Sequence, residues 1–295
     1  MPDSSSRLAL IQRGDVHIAK QMLVREQEEA EKSADVTVPV FKTNYIVYGP
    51  INVGYGPFKD KRVRQAFLHT IPYQDIINTV YKGRAEKAYG IVFDLVPAYY
   101  ADPYKVFDTD IDKAKALLAE AGVPDGFEID FGYSLATPDM EENGVLMRDS
   151  AAKAGIKLNL KGLTPSEMND LHNARDQGIP HLVRDYAIVE TAPYELRLFA
   201  GAPPANFADW SGYGTQHADN FDKFDTAINN AVAVGNDLDP KAIEYYHEAQ
   251  AIYADDAPWF WSVYVPQPAI YSSRLTGYAH RTDQTVPYWR LRFTS

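Results

Sequence analysis

Cysteine is absent from this 295-residue chain. That excludes disulfides, thiolate metal sites and cysteine nucleophiles together. Long apolar runs are absent too, and no stretch reaches the length a helix needs to cross a bilayer. Met1 to Gly14 lacks a basic start followed by an apolar stretch, so it is not read as a signal peptide. Positive charge is in deficit, with 29 basic against 40 acidic residues and a net charge of -11. Such a surface repels phosphate backbones, and no nucleic-acid partner is expected. There is no internal repeat and no low-complexity tract.

What is present is a foldable core. Apolar residues make up 45% and charged residues 23%, the balance of an ordered globular chain. Tyrosine is abundant at 20 residues, and its ring with one polar tip suits both core rims and amphipathic ligands. Helical spacing and caps predict helices over 7–12, 21–32, 61–71, 73–81, 112–120, 143–153, 165–174, 222–234 and 240–253. Alternation predicts strands over 16–19, 36–40, 44–48, 127–133, 156–160, 181–189 and 259–265. Helix and strand alternate from Asp112 to Leu160, which points to an α/β layer. The run Glu26, Glu28, Glu29 and Glu31 reads as a solvated helix face.

Motifs with chemistry of their own are few. Asp108, Asp110 and Asp112 are spaced like the opening of a calcium loop. Lys113 stands where the turn glycine belongs, and Ala119 where the bidentate glutamate belongs. Helix capping by Asp110 or Asp112 is the better reading. No two of the seven histidines are three to five residues apart, so no helical zinc pair exists. There is no nucleophile elbow and no phosphate loop. No metal and no cofactor is expected. Carboxylates are plentiful, but nothing singles out a catalytic pair.

One segment is distinctive. Gly56 to Ala66 (GPFKDKRVRQA) resembles the P-F-x-D-x-R-V-R-Q-A signature of the peptide, dipeptide and oligopeptide solute-binding proteins of bacterial ABC importers (extracellular solute-binding protein family 5). Asp112 to Phe127 resembles that family's D-x-x-K-A-K-x-L-L-x-E-A-G stretch with its closing G-F. Ser6 to Ile18 is similar to its R-x-x-A-L-x-x-G-x-V-D-I segment, with His17 at the aspartate position. Asp255 to Trp259 and Thr276 to Tyr278 match its E-x-A-P-W and K-G-Y segments. Within the signature, Phe58 is expected to anchor the loop and Asp60 to cap the following helix. Arg62 and Arg64 are expected to leave opposite the apolar stripe. That is a structural role, not a ligand site.

The resemblance implies an α/β periplasmic-binding-protein-like fold (type II, cluster C): a lobe around a mixed sheet, with a partial second lobe. Residues 1–43 are expected to form part of the first lobe, 44–269 the second, ligand-binding lobe, and 270–295 the return segment to the first. The family's N-terminal strands and inserted domain have no counterpart, so the chain is expected to be a truncated form with weak binding. The implied function is non-enzymatic capture of a peptide or similar small solute for an ABC permease, in the periplasm. Self-association through the exposed cleft face is a further expectation. The alternatives are a hydrolase acting on a sugar or peptide, or a ligand-free remnant. The family's W-x-x-D-Y-type segment, whose aspartate holds a peptide α-ammonium, corresponds to Leu182-Val183-Arg184-Asp185-Tyr186. Leu182 replaces the usual aromatic. Arg184 is expected either to neutralise Asp185 or to contact a ligand carboxylate. Asn206 to Tyr213 resembles the family's N-x-x-x-x-S-G-Y stretch, which makes Trp210 and Tyr213 candidates for stacking on a ligand or for packing their loop.

Overall fold

The computed structural model describes residues 3–39, 43–92, 99–101, 103–174, 178–186, 191–201, 210–216, 218–266, 269–279, 281 and 285–294, and structural statements refer to these. The chain opens with α1 (Ser4–Gln12), capped by Asp3, whose carboxylate accepts from the backbone of Ser5 and Ser6. It continues through β1 (Ile18–Ala19), α2 (Val24–Ala30) and β2 (Val36–Thr37). The acidic face expected on α2 is only partly solvated. Glu26 is buried because its carboxylate accepts from the Leu23 amide at 3.0 Å and from the Ser4 and Ser5 hydroxyls at 2.8 and 3.0 Å.

β3 (Tyr45–Pro50) then starts the main sheet. It leads to α3 (Lys61–His69), α4 (Tyr73–Asp75) with a wider turn over Ile76–Val80, and β4 (Glu86–Lys87). An α/β run follows: α5 (Ile111–Glu120), β5 (Phe127–Ser134), α6 (Met140–Ala152), β6 (Ile156–Leu163), α7 (Pro165–Ala174) and β7 (His181–Tyr186). The strand expected to run on to Val189 leaves the described residues after Tyr186. Asp110 caps α5 by accepting from the Lys113 amide at 2.9 Å, a helix cap in place of a calcium loop. Next come α8 (Ala192–Ala200), α9 (Phe221–Ala233), α10 (Pro240–Asp256) and β8 (Trp259–Tyr264). The short strands β9 (Ile270–Ser272), β10 (Leu275–Thr276) and β11 (Arg292–Phe293) close the chain.

The main sheet has six strands in the order β4-β8-β3-β7-β5-β6. It is mixed: β5 runs parallel to β6 and β7, while β3 runs antiparallel to β7 and β8. Two glycine features fix its geometry. A Cβ on Gly49 would lie 1.9 Å from the His181 carbonyl oxygen and 2.6 Å from the Phe260 ring, so only glycine lets that ring cross the strand. Gly126 and Gly155, both at positive φ, bring the starts of β5 and β6 together; a Cβ on Gly126 would sit 2.0 Å from the Gly155 carbonyl oxygen.

Strict alternation along β8 would put Trp259, Trp261 and Val263 on one face. The structure breaks it at a β-bulge. Tyr48 stands opposite Trp261 and Ile46 opposite Tyr264, so Ser262 is the extra residue. Trp259, Trp261 and Tyr264 therefore share one face, and Phe260 and Val263 the other. On the first face Tyr48 stacks on both tryptophans at 5.4 and 5.2 Å, and Phe199 of α8 packs edge-on against them. On the second, Phe260 meets Phe67 and Phe131 at 5.8 and 6.0 Å.

A second, smaller core lies beside the first. Ile11, Ala19, Met22, Ala30, Val36 and Ile270 bury one another there. Its sheet has β9 between β1 and β2, both pairings antiparallel, so the start and end of the chain meet. His17 and Phe293 pack edge to face at 4.7 Å. The passage between the two units is cross-tied: the Thr43 hydroxyl donates to the Val265 carbonyl at 2.8 Å, and the Val265 amide to the Tyr45 carbonyl at 3.0 Å.

Candidate functional site

β7 carries three of the expected site residues at its exit. β5 pairs with it only at His181 and Leu182, whereas β3 follows it from Val183 to Tyr186. The strand therefore runs past one of its neighbours. Successive residues point to opposite faces, so Arg184 and Asp185 part company. Asp185 is exposed and stands opposite Ile46 in the ladder, and Tyr186 stands opposite Tyr45. On the Asp185 face lies Tyr48, whose hydroxyl is held protonated by burial and then by the nearby Asp185 and Glu195 carboxylates.

Arg184 turns the other way. Expected to pair with Asp185 or with a ligand carboxylate, it pairs instead with Asp139 at 2.5 Å, with 9% and 2% of the two side chains exposed. Burial opposes its charge, but Asp139, Tyr81 and Tyr45 outweigh that and raise its pKa. The other Asp139 oxygen accepts from the Tyr81 hydroxyl at 2.5 Å, and Asn143 donates to that hydroxyl at 3.1 Å and to the Asp139 carbonyl at 2.7 Å. Burial first, then Asp139, keeps the Tyr81 phenol protonated. Asp139 and Tyr81 escaped the sequence reading. Predicting α6 from Asn143 put Asp139 outside the helix, although Asp139 just before Met140 is an N-terminal signal. Arg184, Asp139 and Tyr81 line one wall of a narrow cleft; Met22, Leu23 and Gln27 line the other.

Trp210 and Tyr213 are placed differently from Asp185. The half-buried Trp210 lies flat on His172, with ring centres 3.6 Å apart and planes at 4°, and packs near His181 and Trp259. Its face is used inside the lobe, which is the packing alternative. Burial lowers the pKa of His172 to about 4 and that of His181 to about 3. Tyr213 likewise takes the packing alternative, not the stacking one. Its exposure is 0%, its ring packs edge-on against Phe221, Phe224 and Tyr253, and its hydroxyl donates to Asp256 at 2.6 Å.

The signature segment explains that hydroxyl. Asp60 caps α3 as expected, and Arg62 stays near the surface on Asp60. Arg64 does not leave the protein: its side chain is 0% exposed. It donates to the carbonyls of Asp256 and Phe58 at 2.7 Å each and pairs with Asp219. The buried Asp256 carboxylate accepts from Tyr213 and from the amide and side chain of Asn220. Burial pulls both Arg64 and Asp219 toward their neutral forms, and each holds the other charged. The GPFKDKRVRQA, S-G-Y and D-D-A-P-W segments thus meet in one buried polar knot. Among the described residues no three of His, Asp and Glu converge as a metal site would require.

Comparison with known proteins bears on the family and the fold. The profile of the bacterial extracellular solute-binding proteins, family 5, matches residues 1–231. Heme-binding protein A of Haemophilus influenzae is 26% identical, over 94% of this chain and 50% of its own. Glutathione-binding protein GsiB of Salmonella typhimurium is 25% identical, over 94% and 53%. The chain thus spans about half the length of these curated relatives. Among solved structures, the periplasmic binding protein DppA of Helicobacter pylori, in complex with the peptide STSA, superposes with a TM-score of 0.85 at 20% identity, covering 99% of this chain and 56% of that one. The dipeptide-binding protein of Pseudoalteromonas sp. SM9913, in complex with Met-Leu, gives 0.85 at 19% identity, over 100% and 57%. On the profile match, the signature and the shared fold, this chain belongs to the bacterial extracellular solute-binding proteins, family 5.

Proposed function

We propose that the chain is the ligand-gripping part of a non-enzymatic solute-binding protein that hands a peptide-like solute to an ABC permease in the periplasm. Residues 44–269 serve as the gripping lobe; residues 1–43 and 270–295 belong to the opposing one. The observation that carries the reading is the exit of β7, where Asp185 is exposed on one face while Arg184 is held on the other by Asp139. A carboxylate at that point suits an α-ammonium group. The named ligands of the similar proteins include peptides and glutathione, which carry such a group.

Affinity for this chain by itself should be low, because one wall of contacts leaves the ammonium–carboxylate pair open to water. A Kd near millimolar, about 4 kcal/mol, is expected. Calorimetry with a dipeptide, a tetrapeptide and their N-acetylated forms tests this. Free amines should bind, and N-acetylation or Asp185→Asn should abolish the heat. Equal binding of acetylated and free peptides would remove Asp185 from the reading. No heat with any peptide at millimolar concentration would leave a ligand-free remnant.

A further inference from the structure

α2 belongs to both units. Met22 and Ala30, just before it and at its end, sit in the small core, yet Val24 sits in the large one. Two surface ion pairs stitch the same helix to the large unit. Arg25 reaches Glu142 of α6 at 3.1 Å, and Arg84 grips Glu31 through two bonds of 2.9 Å. Beneath these ties the helix lies over the Arg184–Asp139 pair, and the cavity between them is bounded by Gln27 on one side and Arg184, Asp139 and Tyr81 on the other.

Gln27 is 1% exposed. Its side-chain nitrogen donates to the Met22 carbonyl at 3.1 Å, but its buried oxygen has no partner among the described residues. A buried amide oxygen left unsatisfied is costly and calls for a donor. The space beside it admits about one water-sized molecule. Charge narrows the occupant further. Arg184 and Asp139 already neutralise each other and give neither a cation nor an anion a net pull, and an apolar group would leave the Gln27 oxygen unsatisfied. A small neutral molecule that both donates and accepts suits both walls. The guanidinium carries five N–H donors, and Arg184 uses one of them on Asp139.

We propose that this seam holds a built site for a single water, which donates to Gln27 Oε1 and accepts from Arg184, tying α2 to the large unit. The water leaves when α2 lifts, so its residence time reports opening of the seam. Screening the Arg25–Glu142 and Glu31–Arg84 pairs hastens that lift.

A high-resolution crystal structure of the full chain should show one ordered water within hydrogen-bonding reach of both groups. A protein donor on the Gln27 oxygen, or a dry cavity, overturns the site. Oxygen-17 relaxation dispersion of water should count one fewer long-lived water in Gln27→Met than in the parent protein, and an unchanged count overturns it equally. If Gln27→Met does not fold, the crystal structure of the parent still decides. Raising salt from about 0.01 M to about 1 M shrinks the screening length from roughly 30 Å to 3 Å. The residence time should shorten several-fold, and a salt-independent value breaks the link between α2 and the water.

Discussion

The two packed units are held by different physics. The large one has strands of up to eight residues, a ladder of stacked aromatic rings and a fully buried arginine. The small one has strands of two or three residues and six buried apolar side chains among those described. So few side chains cannot repay the entropy of ordering helices and strands around them. The small unit must therefore lean on the Thr43, Tyr45 and Val265 ties, on α2 and on its surface ion pairs. Its local stability should lie well below that of the large sheet.

The largest expected effect attacks the large unit where it is most committed. Arg64→Met strands Asp219 beside the buried Asp256 and should cost about 3–5 kcal/mol in denaturant unfolding. Adding Asp219→Leu should recover part of that. A single-variant loss below about 1 kcal/mol would show that the knot is peripheral and the contrast overstated.

Acid comes next, and it should act on the large unit. His172 and His181 sit only on the large unit, with pKa values lowered to about 4 and about 3. Unfolded histidine titrates near 6.5, so from that pH down to about 4 for His172 and about 3 for His181 the unfolded chain binds protons that the native state refuses. The stabilisation is present in full above 6.5 and is lost as pH falls, by a few kcal/mol in all. Thermal melts should drop steeply across that window. A flat profile would mean that the two imidazoles reach solvent.

The smallest change sharpens the comparison. Ile270→Val removes one methylene from the small core and should cost about 1 kcal/mol. In hydrogen exchange the loss should appear in β1, β2 and β9 but not in β5 and β6. Equal loosening of both units would show that they unfold as one.

Much of the fold was legible in the sequence, because caps and periodicity act locally. Asp60 and Asp110 cap the helices they were expected to cap. α8 was missed, although Ala192, Leu196, Phe199 and Ala200 are spaced for one buried helical face. The site was less legible, and for a physical reason. Arg184 had a charged neighbour in sequence, Asp185, and another in space, Asp139, and alternation along a strand favours the second. Arg64 read as a surface cation because two of its partners, Asp219 and Asp256, lie far away along the chain.

The extra residue at Ser262 sets two frames within one strand. Before it, the side chains keep time with the aromatic wall under α8. After it, everything is half a turn out of phase, so Tyr264 returns to the wall and Val263 turns to the face that carries Phe260. Losing one residue there is therefore not a lesser form of substitution. It would rotate the passage toward the small unit, send a tyrosine hydroxyl toward hydrocarbon, and leave Tyr45 and Val265 facing the wrong partners. In β8, spacing carries as much information as chemistry.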